Sequence, residues 1–150
     1  MRVYAAGPLF TAAERAWNKW FAGELRARGH DVILPQVEAA RFITRGSIDF
    51  AGIFSMCIQQ IREADAVVAI FDGADVDSGT AFECGYGYAI GKPILGVRTD
   101  LRSGGEENGV NAMLSRCCQQ LVYVPAFNPG EEIVDSIVAA LSTVKAASVR

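Results

Sequence analysis

Residues 66–71 read AVVAIF, a continuous apolar run that is followed by Asp72. A short run without polar alternation is typical of a strand that is covered on both faces, as in a parallel sheet. Helical patterns lie on either side of it, over residues 50–63 and 79–90. We therefore expect residues 66–71 to form an inner strand of an α/β domain.

The same alternation of strand and helix extends along the whole chain. Further short strands are expected at residues 3–6, 31–34, 94–97 and 121–124. A capping-box pattern at Thr11 and Glu14 begins the first helix, residues 36–49 are expected to be irregular, and an amphipathic helix is predicted over 131–145. Such an order predicts right-handed βαβ units. We predict a single domain over residues 1–150, an open five-stranded parallel sheet of Rossmann or flavodoxin-like type with helices on both faces.

Composition excludes several classes of function. The chain has 150 residues, a net charge of −3 and no long cluster of Lys and Arg, so binding to a nucleic-acid polymer is not expected. No apolar run approaches about 20 residues, so no membrane span is expected. The N-terminal residues lack a signal-peptide pattern, which predicts a cytoplasmic protein. The apolar fraction of 51% favours self-association.

Cysteine and histidine usage argues against a metal site and against disulfides. The cysteines are Cys57, Cys84, Cys117 and Cys118, and the single histidine is His30. None of the cysteines has C-x-x-C spacing, and the adjacent pair is poorly arranged for an ordinary disulfide. We expect reduced thiols and no bound metal.

Ligands of open parallel sheets bind beyond the carboxyl ends of the strands. In this chain the loops expected there are residues 7–10, 35–49, 72–78 and 98–110. None of them carries a P-loop or a dinucleotide fingerprint, so we expect no cofactor.

The most informative segment is DGADVDSGTAFE, residues 72–83. Either Asp77 or Ser78 is expected to cap the following helix, with Glu83 about one turn inside. The start of the helix is expected to hold Glu83 ionised. Because the flanking residues are almost wholly apolar, this carboxylate is more readily explained as a functional group than as a solvated one.

Three segments resemble the nucleoside 2-deoxyribosyltransferases: YAAGPLF at residues 4–10, DSGTAFECGY at 77–86 and GKP at 91–93. The resemblance extends to about Met113. It implies an enzyme that acts on a 2′-deoxynucleoside and a free nucleobase, assembled as a homo-oligomer, either a dimer or a hexamer.

The resemblance also implies catalytic roles for Glu83 and Tyr4 and a substrate-binding role for Asp77. Glu83 matches the glutamate that attacks C1′ of the sugar, and Tyr4 matches the tyrosine that orients it. Position alone equally allows Tyr4 to be a core residue of the sheet. Asp77 matches the aspartate that holds the sugar hydroxyls.

Other matches concern the base and the neighbouring subunit. Asn111 and Met113 match an Asn-x-Met motif whose asparagine enters the site of the neighbouring subunit. Gln36 resembles a glutamine that contacts the base. The better-studied relatives carry an aspartate on the second helix, where this chain has Cys57, and end in a tyrosine that this chain lacks. Asp72 is the candidate to take over the role of that aspartate.

The remaining predicted substrate-binding residues are Gly7, Phe10, Ser78 and Gly79. Phe10 offers a ring that can stack on the base, and Ser78 offers an anion site at the start of a helix. Gly79 lies on one stripe of its helix with Glu83.

Three functions stay open at this point. A glycosyl-Glu83 intermediate attacked by a second base gives transfer, whereas attack by water makes the protein a hydrolase of nucleosides or nucleoside 5′-monophosphates. The charge of Asp77 favours nucleosides over monophosphates by repelling a phosphate. A non-catalytic nucleotide-sensing domain is the third alternative.

Overall fold

Five parallel strands form the central sheet of the protein. This computed structural model describes residues 1–102 and 109–144. The sheet strands are β1 (Arg2–Ala6), β2 (Asp31–Ile33), β5 (Ala66–Ile70), β6 (Ile94–Arg98) and β7 (Gln120–Tyr123), and a separate antiparallel hairpin is formed by β3 (Ile43–Thr44) and β4 (Ser47–Ile48). The helices are α1 (Ala12–Ala27), α2 (Pro35–Glu38), α3 (Phe50–Glu63), α4 (Ser78–Ala89), α5 (Ala112–Cys117) and α6 (Gly130–Thr143).

The strand order is β2-β1-β5-β6-β7, which is the flavodoxin-like arrangement. Every residue of β5 is buried, because β1 and β6 pair on its two edges and helices cover its two faces. The predicted open parallel sheet with an inner strand at residues 66–71 is confirmed.

Alternation along the strands divides the core into two layers. Val3, Val68 and Leu95 face α1 and α6. Tyr4 and Val67 face the other way, toward α3, α4 and α5. Since neighbouring strand residues point to opposite faces, this parity places Tyr4 on the same side of the sheet as α4.

The switch point lies between β1 and β5. From β1 the chain passes to β2 on one side, and from β5 it passes to β6 on the other. The crevice at the carboxyl ends of these two strands is where such sheets bind ligands. The loops after β1 and after β5 border it.

Residues 36–49 differ from the sequence prediction. They are not irregular: α2 begins with Pro35 at its first position, a 3-10 helix follows over Ala39–Phe42, and the β3–β4 hairpin completes the segment. Pieces of two to four residues are too short to show a hydrophobic period, which explains the error.

The other boundaries agree within one or two residues. The Thr11–Glu14 capping box is formed as predicted. The last helix ends at Thr143, whereas Lys145 lies outside the described residues, as do residues 103–108 of the predicted loop. In the described part of the chain, no helix is both long and apolar enough to cross a bilayer.

Candidate active site

Tyr4 and Glu83 form the centre of the site. Tyr4 is fully buried in β1, and Glu83 lies in the second turn of α4. The Tyr4 hydroxyl donates to Oε1 of Glu83 at 2.5 Å. Burial, together with the negative charge of Glu83, raises the pKa of Tyr4, so the phenol keeps its proton and acts as the donor.

The environment of Glu83 raises its pKa to about 7. Burial is the largest cause, and repulsion from Asp77 adds to it, whereas hydrogen bonds from Tyr4 and Cys57 lower the pKa. Desolvation therefore outweighs the effect of the helix start, which was expected to hold Glu83 ionised. A carboxylate with this pKa changes charge near neutral pH.

Asp77 is the N-cap residue of α4. Its Oδ2 accepts hydrogen bonds from the Thr80 backbone N–H at 2.8 Å and from the Thr80 hydroxyl at 3.0 Å. A Cβ on Gly79 would lie 3.1 Å from the same oxygen, so the glycine leaves space for the carboxylate over the first turn. Ser78 is the exposed first residue of the helix.

Cys57 is a member of the site that the sequence did not single out as functional. It lies on α3, half-buried, and packs against the apolar layer that contains Tyr4. Burial raises the pKa of its thiol. The sequence signal that could have identified Cys57 is its alignment with an aspartate on the second helix of the better-studied relatives.

Both carboxylate oxygens of Asp72 accept hydrogen bonds from other residues of the protein. Its Oδ1 accepts from the backbone N–H groups of Thr99 and Asp100, at 2.6 and 2.9 Å. Its Oδ2 accepts from the Thr99 hydroxyl at 2.6 Å. These bonds tie the end of β5 to the end of β6 and give Asp72 a structural role.

Gln36 is likewise engaged within the fold. Its Nε2 donates to the Arg15 carbonyl at 2.9 Å, and its Oε1 accepts from Asn18 at 3.2 Å. Asn18 in turn donates to the carbonyl of Pro8, in the loop after β1, at 2.9 Å. The buried amide therefore links α2 to α1 and supports that loop.

Gly7 and Phe10 lie in the same loop. A Cβ on Gly7 would meet the Ile70 side chain at 3.4 Å, an ordinary contact, so packing does not require glycine here. The Phe10 ring is 75% exposed, and its backbone N–H donates to the Glu14 carboxylate at 2.9 Å.

Asn111 and Met113 lie on the other side of α4 from Glu83. They line a groove of about 700 Å³ between α4 and α5, together with Ser78, Ala81, Gly85 and Tyr88. The α4 residues of this groove recur every three or four positions and so form one stripe, which Glu83 is not part of. The Asn111 side chain caps α5 by accepting from the Met113 N–H at 2.9 Å, and Met113 is 81% exposed.

Metal-ligating residues are not clustered in the part of the chain that the structure describes. Within residues 1–102 and 109–144, no group of three or more His, Cys, Asp and Glu residues is arranged to hold a metal ion. All four cysteines are free thiols.

The flavodoxin-like sheet, with a half-buried carboxylate near its switch point, places the protein in the class of open α/β domains, whose ligands generally bind in this crevice. The model of the nucleoside 2-deoxyribosyltransferase family matches residues 3–114, more than half of the chain. The protein belongs to this family. A comparison with curated protein sequences gives no significant match.

Solved structures share the fold. The 2-deoxyribosyltransferase of Bacillus psychrosaccharolyticus superposes with a TM-score of 0.72 at 24% identity, covering 99% of this chain and 100% of that one. The Leishmania mexicana 2-deoxyribosyltransferase gives 0.63 at 21% identity, with coverages of 95% and 97%. The CMP N-glycosidase of Clostridium botulinum gives 0.62 at 18% identity, with coverages of 93% and 99%.

Proposed function

We propose that this protein is an N-deoxyribosyltransferase that exchanges the base of 2′-deoxynucleosides, with Glu83 as the nucleophile. The observation that carries the proposal is the hydrogen bond from Tyr4 to Glu83, formed at the switch point of a sheet whose sequence matches this family. A carboxylate held in a partly desolvated position suits attack on a developing oxocarbenium ion.

The reaction takes place in two displacements at C1′. Tyr4 binds Oε1 of Glu83, so we assign the attack to Oε2. As the Oε2–C1′ bond forms, the C1′–N bond breaks, and its electron pair leaves with the base, which takes up a proton from solvent. A nitrogen of the second base then attacks C1′ and loses its proton to solvent, while the Oε2–C1′ bond breaks and its electron pair returns to the carboxylate, so the configuration at C1′ is retained.

Asp77 is proposed to accept a hydrogen bond from a hydroxyl of the sugar. Its capping bonds to Thr80 both fall on Oδ2, and we assign the sugar contact to Oδ1. A fixed carboxylate there repels a 5′-phosphate, which favours nucleosides as substrates.

Asn111 and Met113 are proposed to complete the site of a neighbouring subunit in a homo-oligomer. Their position on the side of α4 away from Glu83, and the exposure of Met113, support a role outside their own site. Gly7, Phe10, Ser78 and Gly79 are proposed to border the substrate.

Hydrolysis is the second candidate, because the same glutamate serves both outcomes. It is favoured by the likeness in fold to a CMP N-glycosidase. The charge of Asp77 argues against a monophosphate substrate.

Chromatography of the reaction mixture tests the proposal. The protein is incubated with 2′-deoxyinosine or thymidine and free adenine or cytosine. We expect a new deoxynucleoside to form. Glu83→Ala should abolish its formation, whereas the control Glu131→Ala, at an exposed position, should not. Release of base and deoxyribose without exchange would show hydrolysis instead, and an unreactive panel would contradict both exchange and hydrolysis of these nucleosides.

A further inference from the structure

Two buried side-chain amides connect the loop after β1 to α2. Nδ2 of Asn18, on α1, donates to the Pro8 carbonyl at 2.9 Å and to Oε1 of Gln36 at 3.2 Å. Nε2 of Gln36 donates to the Arg15 carbonyl at 2.9 Å. Asn18 is 7% exposed and Gln36 9% exposed, so protein groups rather than bulk water determine the direction in which each amide points.

Each of the two amides fits in only one orientation. Rotating the Gln36 amide by half a turn would place its oxygen against the Arg15 carbonyl, acceptor against acceptor, and its nitrogen against Nδ2 of Asn18, donor against donor. Rotating the Asn18 amide would place its oxygen against the Pro8 carbonyl. Because a buried polar group that loses its partner is unfavourable, these bonds hold both amides in a single orientation.

Asn18 also contacts the end of β1, next to the switch point of the sheet. A Cβ on Gly7 would lie 3.7 Å from Oδ1 of Asn18 and 3.4 Å from the side chain of Ile70, the last residue of β5. The two amides therefore border the crevice in which sheets of this kind bind ligands.

We propose that Asn18 is a positioning residue for recognition of the base, because it fixes the orientation of the Gln36 amide. A side-chain amide has two N–H donors and an oxygen with two lone pairs. The bonds within the fold use one donor and one lone pair of Gln36, so a second donor and a second lone pair face the base from fixed places. Recognition of a base rests on the proposed function and on the predicted contact of Gln36, whereas the fixed orientation does not.

Hydrogen exchange of side-chain amides, followed by ¹⁵N NMR without substrate, tests the fixed orientation, and Gln36→Met assigns the signal. In the wild type the Gln36 amide should exchange at least about tenfold more slowly than that of Asn128, which donates to Glu132 at an exposed position. Asn18→Leu, which resembles asparagine in shape but has no donor, should remove most of this protection, whereas Asn128→Leu should not. Protection retained in Asn18→Leu would overturn the proposal. Equally fast exchange at Gln36 and Asn128 in the wild type would overturn it without any variant.

Competing bases test the consequence for specificity. Adenine and hypoxanthine differ by an amino group against a carbonyl at one ring position, and so do cytosine and uracil. A donor and an acceptor at fixed places should make the wild type discriminate within at least one pair by about tenfold or more in kcat/KM. Asn18→Leu should bring that ratio toward one, because the Gln36 amide can then rotate.

The same substitution in a Gln36→Met background separates recognition from support of the loop. With no amide left to orient, Asn18→Leu should leave the ratio of kcat/KM values unchanged there. An equal reduction in both backgrounds, or a wild type that does not discriminate within either pair, would overturn the proposal. If the Gln36 amide is protected but the protein exchanges no base, the fixed orientation stands and the proposed function fails.

Discussion

The hydroxyl oxygen of Tyr4 and Oε1 of Glu83 lie 2.5 Å apart, although 79 positions separate the two residues in the chain. The contact joins the strand next to the centre of the sheet to the helix that follows the central strand. It therefore fixes a half-buried carboxylate to a fully buried residue of the sheet. Removing the hydroxyl should reveal how much that fixation contributes.

Tyr4→Phe is expected to lower kcat/KM about 10- to 100-fold, the value of one hydrogen bond to a charged group. Because the Tyr4 bond lowers the pKa of Glu83, its loss should also move the acid limb of the rate profile to higher pH. Initial rates between pH 5 and 9 measure both effects. Tyr123→Phe, at an exposed tyrosine of β7, is the matched control. Wild-type rates in Tyr4→Phe would show that the hydroxyl does not orient the nucleophile.

The raised pKa of Glu83 predicts that the free energy of unfolding depends on pH. Its pKa rises from an ordinary 4.5 to about 7 on folding, so between these values the native state binds more protons than the unfolded state. The free energy of unfolding therefore decreases as pH rises through this window, by about 3 kcal/mol at most, and the ionised carboxylate is destabilising above it.

Glu83→Gln should remove this pH dependence. Urea denaturation is expected to show similar stability of variant and wild type near pH 4.5, and a variant more stable by about 1–3 kcal/mol at pH 8. Glu131→Gln, at an exposed position of α6, should keep the wild-type slope. A difference that does not grow with pH would contradict the assigned pKa.

Asp77→Ser separates the capping role of Asp77 from its proposed contact with the sugar. Serine is also a favourable N-cap, so the melting temperature should change little. Turnover of 2′-deoxynucleosides should fall about tenfold or more, as a charged hydrogen-bond acceptor is lost. Since Asp77 raises the pKa of Glu83, the acid limb should move to lower pH. Unchanged nucleoside turnover would refute the sugar contact.

Sequence patterns predicted the sheet because β5 is buried on both faces and therefore lacks polar alternation. The Tyr4–Glu83 contact could not be read from periodicity. It depends on the parity of Tyr4 in β1 and on the rotation of α4, and only the family resemblance suggested it. The same resemblance pointed to Cys57 but not to what a thiol would contact.

Side-chain amides and carboxylates were harder to assign. Asp72 and Gln36 were predicted to bind substrate, and this stays a prediction. Hydrogen bonds to Thr99, Asp100, Arg15 and Asn18 also engage them in the fold. A carboxylate at the end of a strand looks the same in sequence whether it faces a ligand or closes a loop. The partner groups come from distant segments, so local patterns cannot distinguish the two.

Arg98 offers a test of how the loops around the site are held. This buried side chain donates to the Phe71 carbonyl at 2.5 Å, to the Arg102 carbonyl at 2.8 Å and to Gly73 at 3.3 Å. Arg98→Lys keeps the charge but loses the planar set of donors, so we expect a loss of about 1–3 kcal/mol in stability by urea denaturation. Arg45→Lys in the exposed hairpin turn should be neutral. Equal stability of both variants would show that Arg98 does not organise these loops.

Shared sites can be tested by combining two defective chains. Asn111→Ser retains a capping residue for α5 but shortens the side chain, so it should be inactive without being unfolded. If Asn111 serves the neighbouring subunit, a heterodimer of Glu83→Ala with Asn111→Ser contains one complete site and should regain about half of the wild-type activity per dimer. Co-expression with two different affinity tags isolates that heterodimer.

The control is the reverse arrangement, in which a Glu83→Ala/Asn111→Ser double variant is paired with wild type. This heterodimer should be inactive, because each site lacks one of the two residues. If Asn111 instead acts in its own site, the results exchange: the double-variant heterodimer keeps one complete site, and the first heterodimer has none.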